Sequence, residues 1–252
     1  MVEPLSATFH RDTELDDVQP TLIEGLPGFG LVSAIAVDQI TTQLDLEQHG
    51  TITSDSFPPA ITFEDGLVHD LVRVYAGADP AVMTLQSDLA LPYEAFDPLS
   101  HCVINDLADE FDRAVFLAGS PVETEDDIGD VIGVGTTKEI RADLTAAGIT
   151  VPDDPGIIGG ITGALAKECY HASVPAAVLI VGSHPFLPDP KAASAVIETA
   201  VEPLVDFDID TAELLEQSDE IQRQLQQIAE QYQQMSQDQL EPGQAPSPSM
   251  YQ

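Results

Sequence analysis

Thr21-Leu-Ile-Glu-Gly-Leu-Pro-Gly-Phe-Gly-Leu-Val-Ser-Ala-Ile-Ala-Val37 decides the fold class. Thr21–Glu24 is short and apolar enough for a strand, Gly25–Gly30 is rich in turn formers, and the Ala/Val/Ile run beyond reads as a helix to about Leu46. A strand that feeds a helix through a glycine turn is the opening unit of a parallel sheet, because parallel neighbours need a crossover to return. The same alternation continues downstream. Ile61–Phe63 and Leu67–Tyr75 flank Glu64-Asp65-Gly66, a hairpin with its Asp-Gly turn in the expected place. Ala81–Leu85, Ala114–Ala118, Val131–Val134 and Val178–Val181 read as strands; Tyr93–Phe111, Lys138–Ala147, the segment from Gly160 to about His171, and Pro190–Val205 read as helices. Gly148 stands where a helix C-terminus wants glycine. The expectation is an α/β domain over 20–205: a mostly parallel sheet with helices on both faces, plus one hairpin. Residues 1–19 are left as an N-terminal segment.

Composition narrows the function. The 252 residues carry 44 Asp and Glu against 8 Lys and Arg, a net charge of −36. Nucleic acid is excluded, since neutralising phosphates needs clustered Lys and Arg, and anionic membrane surfaces are excluded for the same reason. Only Lys138, Lys167 and Lys191 supply lysine. Acids spread along the whole length, with lysine nearly absent, suggest a halophilic protein, in which screening shortens the repulsion and hydrated carboxylates maintain solubility. Self-association of such a chain is expected to need high ionic strength. Cys102 and Cys169 are too few for a disulfide scaffold or a structural zinc site. Met1–Thr13 has no apolar core of a secretory signal, and the longest apolar runs, Leu31–Val37 and Val174–Val181, are too short to span a bilayer. A soluble, cytoplasmic protein is expected.

The composition shifts after Asp210. Twelve glutamines lie between Thr211 and Gln252, against five in everything before. Leu214, Ser218, Ile221, Leu225, Ile228, Tyr232 and Met235 recur at alternating spacings of four and three, a seam weakened by Ser218. A helix over 211–240 with one narrow apolar stripe has to lie on the domain or pair with a copy of itself. Residues 241–252 read as a flexible Pro/Ser-rich tail ending in Met250-Tyr251-Gln252.

Few constellations carry chemistry. The Gly25-Leu-Pro-Gly-Phe-Gly30 loop, with Gly25, Pro27, Gly28 and Gly30, either offers free N–H groups to an anion or lets the following helix pack close on the sheet. It has neither G-x-G-x-x-G spacing nor a Walker lysine, which favours the tight turn. Gly156, Gly159, Gly160 and Gly163 suggest close packing of small residues, within the domain or between subunits. The six histidines, at 10, 49, 69, 101, 171 and 184, are scattered without metal-ligand spacing. Ser183-His184 is no nucleophile–base pair, and no G-x-S-x-G elbow is present. No catalytic residue, metal or cofactor is assigned.

Taken together, Glu24-Gly-Leu-Pro-Gly-Phe-Gly-Leu-Val32, Phe57-Pro-Pro-Ala60, Gly119-Ser-Pro121 and Gly156-Ile-Ile-Gly-Gly-Ile-Thr-Gly163, followed by a helical C-terminal segment, carry a resemblance. Over about Pro20–Val205 the chain resembles the archaeal branch of the proteasome assembly chaperone 2 family. The resemblance implies a three-layer α/β/α domain similar to nucleoside phosphorylases, self-association, and action on assembly of the proteasome core. The phosphorylase active site does not carry over, since no residue here matches a catalytic role. In that light Met250-Tyr251-Gln252 looks like the hydrophobic–Tyr–any C-terminus by which proteasome activators and chaperones dock between α-ring subunits. Such docking needs an apolar anchor, an amphipathic ring and a free carboxylate for a pocket cation. The expected function is a non-enzymatic, homo-oligomeric proteasome chaperone or adaptor whose partners are proteasome α-subunits. The alternatives are a small-molecule binder or enzyme using the Gly25–Gly30 loop, and a self-assembling scaffold with another partner.

Overall fold

The computed structural model describes residues 5–15, 18–221, 223 and 224. In chain order the elements are β1 (Ala7–Arg11), β2 (Thr21–Gly25), α1 (Val32–Gln43), β3 (Glu47–Ser54), the hairpin of β4 (Thr62–Glu64) and β5 (Leu67–His69), then β6 (Val72–Ala78) and β7 (Ala81–Ser87). They continue with α2 (Phe96–Cys102), β8 (Arg113–Pro121), β9 (Val131–Gly135), α3 (Lys138–Ala146), α4 (Gly160–Ala172), β10 (Ala176–Ser183), α5 (Pro190–Val196) and α6 (Glu202–Val205). Widened turns at Val103–Leu107 and Ile197–Val201 extend α2 and join α5 to α6.

Eight strands form one sheet in the order β1-β3-β6-β7-β2-β8-β10-β9. Its centre is parallel: β7, β2, β8 and β10 all run one way. Antiparallel pairs extend it on both sides, through β6, β3 and β1 at one edge and β9 at the other. The central strands are buried on both faces, and their side chains alternate between two cores. Leu22, Ala114, Phe116 and Val178 point to the face covered by α2 and α4. Ile23, Val115, Leu117 and Leu179 point to the face covered by α1, α3, α5 and α6. The result is the three-layer α/β/α arrangement. Leu22, Ile23, Phe116 and Leu117 are almost wholly excluded from water, and full burial of a side chain of this kind contributes about 1.5–3 kcal/mol.

The local signals explain the boundaries. Thr137 accepts the Ile140 N–H at the start of α3, and Asp189 does the same for Ala192 at the start of α5, as N-caps do. Gly148 adopts φ +79° just beyond α3. Three differences from the sequence reading have physical causes. First, α1 stops at Gln43, and Asp45 at φ +50° turns the chain so that Leu46 leads into β3 instead of closing the helix. Second, the long arm Leu67–Tyr75 is two strands: β5 stays with the hairpin, and Val72 begins a strand of the main sheet. Third, β1, within the N-terminal segment, and β3, in a stretch to which the sequence reading gave no element, pair at the edge of that sheet. Ala-Thr-Phe-His-Arg and Glu-Gln-His-Gly-Thr-Ile-Thr-Ser lack an apolar run because the edge is only partly covered.

The seam residues of the glutamine-rich segment are described only in part. Residues 212–221 are helical. Leu214 is buried in the α1/α5 core, while Ser218 and Ile221 are half-buried. Leu225, Ile228, Tyr232, Met235 and the 241–252 tail lie outside the described residues.

Candidate functional site

Parallel α/β sheets present loops and helix N-termini at the carboxyl ends of their strands, and ligands and partners gather there. At that end of β2, β8 and β10 the structure has a cavity of about 830 Å³, walled by the loop after β2, the end of β8, the start of α4 and the Pro185–Pro188 loop. The glycine loop singled out in the sequence forms one wall. Gly25 lies at its base, where an added Cβ would collide with the Val37 side chain, so the glycine sets how closely α1 rides on β2. Gly30 is at φ +63° with Ser183 against it, and Leu31 follows at φ +49°, a left-handed pair that turns the chain into α1. Gly28 is extended and faces open space, so nothing in the fold demands glycine there. Pro27, Gly28 and Gly30 line the cavity; Gly25 does not. Gly119 of β8 closes the contact from the other side, packed against the Phe29 carbonyl.

The second glycine group borders the same cavity. Gly159 and Gly160 line it, and Gly160 is at φ +69°. A Cβ at Gly156, Gly159 or Gly160 would meet nothing within 4 Å, whereas one at Gly163 would lie 2.5 Å from the Ile158 carbonyl oxygen. Of the four, only Gly163 is needed for close approach, and it packs on its own preceding loop.

Beneath this cavity sits the residue that sequence reasoning missed. Glu24, the last side chain of β2 before the loop, is completely buried. One carboxyl oxygen, Oε1, accepts the Leu26 N–H at 2.9 Å, and Oε2 has no hydrogen-bond partner. Burial penalises its charged form and pushes its pKa up to about 8, against smaller opposing pulls from the backbone at Leu26 and Leu117 and from Thr162. Leu26, Leu117 and Thr162 all line the cavity, so the carboxyl lies just behind its floor. The signal was a single acid in the otherwise uncharged Thr-Leu-Ile-Glu-Gly strand, which a buried central strand tolerates only when the group is neutral or paired.

Other polar groups are tied into the fold by hydrogen bonds and ion pairs. His49, buried at the β1–β3 edge, faces Glu110 through Nε2 at 2.7 Å and Thr13 Oγ1 through Nδ1 at 3.1 Å. Arg11 pairs with the same Glu110, so the three side chains tie the sheet edge to the segment after α2. His184 Nδ1 accepts the N–H groups of Phe186 and Leu187, shaping the loop over the cavity. Burial raises both cysteine thiols to about 12, with Asp106 adding to the shift at Cys102 and Glu168 at Cys169. Such thiols are held protonated and are poor nucleophiles. Among the described residues no group of three or more His, Cys, Asp or Glu could hold a metal, and no helix is long and apolar enough to cross a membrane.

The PAC2 family model matches residues 22–229, from the first central strand to beyond the last described residue. The chain belongs to the PAC2 family. Among solved structures, this PAC2 chain is similar to Pyrococcus furiosus PbaA, described as an archaeal homolog of proteasome-assembly chaperone, with TM-score 0.80, 25% identity, and 94% of this chain and 96% of that one covered. It shares its fold with Pyrococcus furiosus PbaB, described as an archaeal proteasome activator, at TM-score 0.78 and 20% identity over 89% of this chain and 99% of that one. An uncharacterized protein of Methanocaldococcus jannaschii is 25% identical over 227 residues, 90% of this chain and 92% of its own.

Proposed function

We propose that this PAC2 protein is a non-enzymatic, homo-oligomeric proteasome assembly chaperone or adaptor, and that it docks on the proteasome α-ring through its C-terminal Met250-Tyr251-Gln252. The observation that carries the reading is the likeness to PbaA over nearly the whole of both chains, joined to a family match that spans the domain. The tail adds the docking chemistry. An apolar residue, a tyrosine and the terminal carboxylate follow a Pro/Ser-rich segment, and on this reading several such tails on one oligomer engage several pockets, which raises avidity through effective concentration. Pull-down with α-subunits tests it. Tyr251→Ala should abolish capture without changing folding or oligomeric state, because losing a buried aromatic anchor costs about 2 kcal/mol or more per site and several sites act together. Residues added after Gln252 should be as damaging, and Gln252→Ala should be tolerated. Equal capture of the full chain and of a chain ending at Ser249 would remove the tail from the mechanism.

A second reading rests on the cavity itself, whose size falls within the usual range for small-molecule sites of about 300–1,000 Å³. On that reading the Gly25–Gly30 loop binds a small ligand. A thermal-shift screen with phosphate, nucleosides and nucleotides separates the two, since only this reading expects a saturable rise in Tm.

A further inference from the structure

The exposed apolar surface of this chain is concentrated at one end. Of the thirteen large hydrophobic side chains exposed among the described residues, ten lie at the carboxyl end of the central strands: in the loop after β2, in and beside the β4–β5 hairpin, after β7, before α2, before α4 and after β10. Eight of the ten fall into two sets of opposite shape. One is convex. The β4–β5 hairpin stands apart from the main sheet as a two-stranded sheet of three residue pairs, and it exposes Ile61, Phe63, Leu67 and Val68, with Phe63 80% exposed. An isolated two-stranded hairpin is marginally stable in water, so one that also exposes four apolar side chains lacks a partner. The other set is concave. It is the 830 Å³ cavity, rimmed by Phe29, by Ile157 at 98% exposure and by Phe186 at 88%.

The cavity is unlike the rest of the surface. No charged side chain lines it, although the chain has 44 acidic residues. None of the hairpin residues lines the cavity of its own subunit either.

We infer that this end of the molecule is where copies of the chain join, with the tip of the β4–β5 hairpin of one copy seated in the apolar cavity of the next. Three arguments select a second copy as the occupant. The first is charge. Two chains of −36 repel one another, so association requires a contact free of opposed acids, and the uncharged cavity provides one. The hairpin turn does carry Glu64 and Asp65, but the cavity wall includes the N-terminus of α4, where Gly159 and Gly160 offer backbone N–H groups with no side-chain cap. Acids are favoured at such an end. The second is area. Burying the four hairpin side chains against Phe29, Leu31, Ile157 and Phe186 removes on the order of 1,000 Å² of surface, near the lower limit of a specific interface before any backbone is counted. The third is economy of shape: knob and hollow are both on every copy, so each subunit can give its hairpin and receive another's, and the contact closes either reciprocally in a pair or around a ring. This specifies the self-association named in the proposed function and does not involve the tail. Failure here leaves α-ring docking untouched, and the reverse holds.

The test uses the full chain in molar salt, with mass measured by light scattering. Phe63→Asp spoils the knob and Ile157→Asp spoils the hollow; both positions are exposed, so neither change disturbs the core. The wild type should assemble, and each variant alone should be monomeric. An equal mixture of the two should form a one-to-one dimer and stop there, because one intact knob meets one intact hollow and the two free ends are both defective. A monomeric wild type, single variants that keep the wild-type mass, or a mixture that stays monomeric would each overturn the inference. Ile157→Cys adds an independent readout against the buried native thiols. Its labelling by a maleimide should slow on assembly, and should speed up in the Phe63→Asp background. Faster labelling on removal of residues 250–252 alone would show the cavity holding the chain's own terminus, and would also overturn it.

Discussion

Glu24→Gln isolates the energetic cost of a carboxyl buried behind the cavity floor. In the folded chain the group titrates at about 8, against 4.5 when unfolded. Between those values the folded state holds a proton that the unfolded state has lost, so wild-type stability falls as pH rises, and the loss is complete once pH passes the folded value. Each unit of difference is worth about 1.4 kcal/mol, so the shift represents roughly 4–5 kcal/mol as an upper limit, reached only if no water enters the site. Glutamine keeps the acceptor for the Leu26 N–H and the shape of the neutral acid, but cannot ionise. The assay is chemical denaturation of both proteins in one buffer series from pH 4 to 9.5, read as the difference in unfolding free energy. Subtracting the curves cancels the titration of the many surface acids. At pH 4 to 5 the two proteins should be within about 1 kcal/mol, as expected for one buried hydrogen bond exchanged for another. Above that the variant should gain steadily with a slope approaching 1.4 kcal/mol per pH unit, and level off above about pH 8. Parallel curves across the range would refute a neutral, desolvated Glu24.

Two further substitutions test how the loop and the C-terminal helix are held. Gly25→Ala places a methyl into the Val37 side chain and should cost about 1–3 kcal/mol by overpacking, whereas Gly28→Ala, facing open space in extended backbone, should be nearly neutral; equal effects in thermal melts would contradict the packing role. Leu214→Ala removes a side chain buried in the α1/α5 core and should cost about 2–5 kcal/mol, with faster proteolysis near Thr211; unchanged cleavage would show that the helix is not anchored there.

Period and punctuation in the sequence were enough to set the class of the fold. Apolar runs of β2, β8 and β10 had to be strands buried on both faces, since strands with one face in water alternate with polar residues. The glycine turn before α1, Gly148 after α3 and Asp65-Gly66 in the hairpin marked their positions because each needs backbone that only certain residues adopt without strain. Charge likewise follows from composition alone, and it argues against nucleic acid as a partner. Other features depend on atoms brought together from distant parts of the chain. The strands β1 and β3 gain their identity from pairing with each other and with β6, so their weak patterns said little. Gly25 and Gly28 look alike in sequence, yet only Gly25 touches Val37. Glu24 reads as an ordinary acid until β7 and β8 close on either side of β2 and remove it from water. The hairpin's exposed apolar side chains and the segments that wall the uncharged cavity lie in separate stretches of the chain, and only folding sets both at one end of the sheet. A local pattern reports what a residue does to its own backbone; burial, close approach and surface shape are set by neighbours far away in sequence, and those only the tertiary structure decided.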